Sequence, residues 1–173
     1  LLPSLVKGSY LLAFSGQYVS SNMSGTQIFN TLSAGIAFTG IAAGFVEEMV
    51  FRGAILRRLL EVMGEGRKWF AIIISALLFG ALHANGPQFI HAALIGVLLG
   101  WMYSRTNSIV PGMLFHWINN TIAFVECNMI HQAADGKLID IFQGNQRSVY
   151  MALGFSLCIF LPSLFQLAQR LRK

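Results

Sequence analysis

The sequence predicts an all-α fold: a polytopic transmembrane helix bundle of about six membrane-embedded helices, with polar residues meeting near mid-membrane. Three observations predict it. Of the 173 residues, 55% are hydrophobic and 11% charged, with mean hydropathy +0.61, and so few charges cannot cover a water-soluble domain of this size. Apolar stretches recur, several near the length of about 20 residues that crosses a hydrocarbon core. Basic residues gather in short clusters beside these stretches, as topology signals do.

The stretches fall at about 1–14, 31–52, 69–84, 89–104, 109–126 and 149–169. The first contains Pro3 and Lys7 and reads as the remnant of a longer span; with Leu1 in place of a methionine, a truncated N-terminus is expected. It has neither a basic leader nor an obvious small-residue cleavage site, so no cleavable signal peptide is expected. The second stretch carries Glu47, Glu48 and Arg52, and the third, from Trp69, carries Phe79 and His83. After a turn at Asn85-Gly86-Pro87, the fourth holds His91, read as a packing residue, and Gly96 and Gly100, whose spacing of four suits close helix packing. The fifth carries His116, Asn119 and Asn120, and the sixth leads to Arg170, Arg172 and Lys173. Trp69, Trp101, Tyr103 and Tyr150 fall near predicted ends, as interfacial aromatics do. The whole reads as a single integral-membrane domain over 1–173, with its chemical motifs within about 40–125.

Orientation follows from the charges. Arg57, Arg58, Arg67 and Lys68, then Arg105, then the C-terminal cluster alternate onto one face, which is expected to be cytoplasmic in a bacterial plasma membrane. The opposite face is expected to hold Ser15–Asn30, Asn85–Gln88 and Cys127–Arg147, with Lys137 and Arg147 as its only basic residues and His131 in the last of these loops. This arrangement explains the net charge of +5 without nucleic acid, and no nucleic-acid partner is expected. Cys127 and Cys158 form neither a disulfide framework nor a metal-type spacing. No Gly-x-Ser-x-Gly elbow or His-Glu-x-x-His zinc motif occurs.

Ionisable residues inside apolar spans are expensive and call for a function or a partner. At a helical rise of about 1.5 Å per residue, Glu47, His83, His116 and Asn120 lie roughly 12 to 22 Å above the inner face. Glu48 and Arg52, four apart, share a helix face, while Glu47 is rotated about 100° from Glu48. Arg52 is therefore expected to neutralise Glu48 and leave Glu47 to take a proton from water, with His83 opposite it to orient that water. His116 and Asn120, also four apart, can offer two donors to one oxyanion. Phe79, one turn before His83, is expected to support the site by packing, and Asn119 to tie helices together.

Taken together, Glu47-Glu48-Met-Val-Phe-Arg52, Phe79-Gly-Ala-Leu-His83 and His116-Trp-Ile-Asn-Asn120 resemble a known family. It is the CAAX-processing and bacteriocin-processing (CPBP, also called Abi) intramembrane proteases, which include the Ras-converting CAAX endopeptidase. The resemblance implies an all-helical membrane endopeptidase in which Glu47 and His83 activate water while His116 and Asn120 hold the oxyanion. It implies no cofactor in the favoured reading; the alternative is zinc, with Glu47, His83 and His116 as ligands. The bilayer and a membrane-associated protein or peptide are the expected partners, the substrate being either a prenylated CAAX protein or a peptide undergoing maturation. Two other classes compete: a non-proteolytic scaffold or immunity protein, and a proton-coupled transporter with Glu47 and His83 as relay.

Overall fold

The computed structural model of the chain describes residues 24–83, 86–129, 139 and 142–171. Every regular element among them is helical, as expected. The apolar stretch at about 1–14, with Pro3 and Lys7, lies outside the described residues, as do Asn85, His131, Lys137, Arg172 and Lys173.

Helix α1 runs over Gly25–Met63, longer at both ends than the stretch at about 31–52. A capping box starts it: Ser24 Oγ accepts from Gln27 N, and Gln27 Oε1 accepts from Ser24 N, satisfying two amides that the first turn leaves unpaired. At the other end Arg57 and Arg58 do not open a loop. Both reach Glu61, at 3.2 and 3.1 Å, along the exposed face of the continuing helix, which stops only at Gly64 with φ +71°, a conformation that glycine adopts at little cost. Within α1 the backbone widens into π-helical turns at Ile36–Ala42 and Met49–Leu56.

A 3₁₀ turn, Glu65–Arg67, leads into α2, Lys68–Ala81. Helices α3, Gly86–Thr106, and α4, Val110–Met129, follow. Helix α5, Gln146–Arg170, closes the described chain. Two compact units result, the first ending at Thr121 and the second beginning at Ile122.

In the first unit, α2 and α3 pack closely where side chains are missing. A Cβ on Gly96 would lie 3.0 Å from Ala76, and one on Gly100 would lie 3.0 Å from Ile72, so both glycines serve the close packing their spacing suggested. Phe51 of α1 meets Phe79 of α2 and Ala92 of α3 in one buried cluster, and Leu56, Ala71 and Ile72 form another. Polar and charged groups are buried beside this apolar core, and large apolar side chains face outward. Glu48, Arg52, Ser75 and His116 are buried, while Phe29, Phe38, Phe45, Met49, Leu78 and Leu94 are exposed. Charged groups inside and large apolar groups outside suit a hydrocarbon solvent.

In the second unit, α5 has no buried residue, and Tyr150, Phe155, Ile159 and Phe165 stand exposed along its 25 residues, a length of about 37 Å. Asn145 caps its start, accepting from Ser148 N at 3.2 Å. Pro162 lies within it, and the neighbouring Ser163 hydroxyl donates to Ile159 O at 2.7 Å. Polar groups near a proline commonly engage the helix backbone in this way in membrane helices.

The described residues do not confirm the expected count of about six spans. Among the described residues two helices, α1 and α5, are long and apolar enough to cross a membrane. Helix α2, at 14 residues, extends only about 21 Å.

Candidate active site

The site is built where α1 approaches α4, within the first unit. Two glycines one turn apart on α1 permit the approach: a Cβ on Gly40 would lie 2.6 Å from Thr121 Oγ1 and 3.1 Å from Trp117 Cδ1, and one on Gly44 would lie 3.4 Å from Trp117 N. Small residues at such spacing let helix backbones come close in lipid. The turn of α1 that follows Gly44 carries Glu47 and Glu48, and it lies against the turn of α4 that carries His116.

Arg52 organises the buried side. Its Nη1 donates to Glu48 Oε1, its Nη2 donates to Gly96 O of α3 at 3.2 Å, and its guanidinium carbon lies 4.8 Å from the centroid of the Phe79 ring. Glu48 and Arg52 are 0% and 1% exposed, so the Coulomb attraction acts with little screening, and each charge depends on the other. The pairing expected from their spacing is present.

His116 lies between the two carboxylates. Its Nδ1 is 3.1 Å from Glu48 Oε1, and its Nε2 is 3.3 Å from Glu47 Oε2. Because a carboxylate only accepts, Nδ1 carries the hydrogen toward Glu48. The Nε2 contact is within ion-pair reach but is not aligned as a hydrogen bond, and Glu47 Oε2 remains a buried acceptor with no hydrogen-bond donor. Glu47 is the more open carboxylate, its side chain 16% exposed against 0% for Glu48.

Phe79 joins the aromatic members. Its ring makes edge-to-face contacts with His83, at 5.3 Å between centroids, and with His116, at 5.6 Å. His83 lies just past the end of α2, its amide donating to Gly80 O at 2.9 Å and its Nδ1 3.2 Å from Phe79 O. It therefore occupies the turn after the helix and not the span in which the sequence reading placed it. Asn120, one turn beyond His116, is half-buried, with Asn119 Nδ2 at 3.5 Å from its Oδ1. Glu47, Glu48, Arg52, Phe79, His83 and His116 thus form one connected group, with Asn120 at its α4 side.

The arrangement departs from the spacing argument at His116. Both ring nitrogens are turned toward glutamates, whereas the sequence reading gave this residue to the oxyanion and gave Glu47 only His83 as a companion. Helical spacing shows which residues share a face, not which side chain across the interface meets them. Gly44 and Gly112 were missed as well. A Cβ on Gly112 would lie 2.6 Å from Glu48 Oε2; the available signal was a glycine four residues before His116.

As a metal site the donors fit poorly. Among the described residues no three His, Cys, Asp or Glu side chains are disposed to hold a metal ion, and Arg52 beside Glu48 opposes a dication.

Fold and site together define a helical membrane protein with an ionisable cluster buried inside its first unit. Residues 29–122, more than half of the chain and the part that carries all the motif residues, match the family described as "Type II CAAX prenyl endopeptidase Rce1-like", and the chain belongs to that family. It is 28% identical over 90 residues to the Bacillus subtilis protein named "Putative membrane peptidase YdiL", covering 52% of this chain and 36% of that one. It is 30% identical over 89 residues to "UPF0177 protein YvdC" of Lactococcus lactis, covering 49% of this chain and 32% of that one. The match thus spans about a third of the length of these curated relatives. No solved structure matches the chain.

Proposed function

We propose that the protein is an intramembrane endopeptidase that hydrolyses a peptide bond of a membrane-associated protein or peptide with water activated by Glu47. The observation that carries this reading is the Glu47 carboxylate: partly open, 3.3 Å from His116 Nε2, and with a buried oxygen that no protein donor satisfies. Such an oxygen has acceptor capacity left for a water molecule. The site belongs to a multi-pass bacterial membrane protein whose C-terminus faces the cytoplasm.

In the proposed reaction Glu47 takes a proton from water as the oxygen adds to the scissile carbonyl, and His83 orients that water. Glu47 then passes the proton to the leaving amine. Because Nε2 lies near Glu47 Oε2 without being aligned to it, the His116 ring is left to serve the oxyanion beside the Asn120 amide. No step requires a metal.

The family name supports a prenylated CAAX terminus as the first substrate to try. Purified chain in lipid vesicles, given a quenched fluorescent peptide with an S-farnesylated CAAX end, is expected to cleave it; mass spectrometry of the products locates the cut. Turnover is expected to survive exhaustive chelation, with far less than stoichiometric zinc by elemental analysis. Zinc at one per chain that leaves and returns together with activity would overturn the metal-free reading. An uncut probe in the presence of folded protein would overturn the CAAX substrate.

A further inference from the structure

The motifs leave unexplained how a fully buried Glu48 is set at the correct height against α4. Gly112 stands in the first turn of α4, four residues before His116 and on the same face. Glu48 Oε2 lies where its Cβ would be, 2.6 Å from the ideal position, and Leu99 Cδ2 closes the other side at 3.8 Å. Glu48 Oε2 is itself buried and has no hydrogen-bond donor. The first turn of a helix carries partial positive charge from its unpaired amides, so a carboxylate is well placed beside it.

From this the geometry points to Gly112 as a positioning residue for the hydrolysis proposed above, on which the inference rests. The missing side chain admits Glu48 to the first turn of α4, and Glu48 in turn fixes the His116 ring through Nδ1. A methyl group at 112 cannot be accommodated by a small swing of the glutamate. Glu48 Oε1 is held by Arg52 Nη1 and by His116 Nδ1, so moving Oε2 rotates the carboxylate and takes Oε1 out of one or both contacts. The imidazole would then lose the bond that sets its plane, and Nε2 would shift relative to Glu47 and the reacting carbonyl. Glu48 is 0% exposed, out of reach of a bound substrate, so KM should not depend on this contact.

The test compares Gly112→Ala with Gly100→Ala, purified in lipid vesicles and normalised to folded protein. The second variant inserts a methyl group that is also crowded, though less so, at 3.0 Å from Ile72 Cγ2 and 3.4 Å from Leu56 Cδ2, two residues outside the site. With the farnesylated CAAX peptide as probe, Gly112→Ala is expected to lower kcat on the order of 100-fold, the scale of a displacement of about 1 Å, with KM nearly unchanged. In ¹⁵N-histidine-labelled protein it should move the His116 Nδ1 resonance, while Gly100→Ala leaves both kcat and that resonance near wild type. The inference is overturned if Gly112→Ala keeps the wild-type kcat, loses no more than Gly100→Ala, or leaves Nδ1 in place. Should wild type itself leave the probe uncut, the CAAX substrate falls and kcat no longer reports on Gly112. The nitrogen resonance still decides the positioning: displaced by Gly112→Ala alone it stands, and unmoved it falls.

Discussion

Glu48 places a charge where water does not reach, and Arg52 and His116 Nδ1 both meet its Oε1 there. Removing one member of a buried pair leaves the other without compensation, at a cost of about 3–5 kcal/mol. Glu48→Gln and Arg52→Ala are therefore each expected to lower the unfolding midpoint of the purified protein strongly. Their double variant should lose less than the two single losses added together, because one partner's cost is the other's absence. Single variants that melt like wild type would show that the pair does not support the fold. This pairing was legible in the sequence, since positions four apart on a helix meet whatever surrounds them. The embrace of His116 by two glutamates was not, because it depends on how α1 and α4 face each other.

At the scale of elements, the approach of α1 to α4 depends on glycine more than on any polar contact. Gly40→Ala puts a methyl group within 2.6 Å of Thr121 Oγ1 and against Trp117, and overpacking of this kind typically costs about 1–3 kcal/mol. Gly154→Ala on α5 meets nothing within 4 Å and should be neutral or stabilising by up to about 1 kcal/mol. Denaturation of the two variants side by side measures the difference; equal stabilities would mean that the close approach at Gly40 is not needed. Helix boundaries were only partly readable. Arg57 and Arg58 resembled a loop because charge marks an interface, yet their contacts with Glu61 carry the helix onward to Gly64. The widened turns at Ile36–Ala42 and Met49–Leu56 leave no periodic signature in the sequence, since i→i+5 bonding alters the backbone without changing the residue types it accepts.

For the whole molecule, composition revealed the solvent. Few charges and long apolar stretches announced a membrane protein, and the structure places apolar side chains outside and the ionisable cluster inside. The count of spans was less legible, because hydropathy does not say where α2 ends, and His83 lies beyond that end. The most direct test of the account is the turnover of the farnesylated probe by Glu47→Gln protein in vesicles, measured beside wild type. Glu48 and Arg52 stay paired in that variant, so its unfolding midpoint should be nearly unchanged while kcat falls by at least about 100-fold, the low end of what a general base contributes. Turnover close to wild type in the purified variant would contradict the assignment of Glu47 as the base.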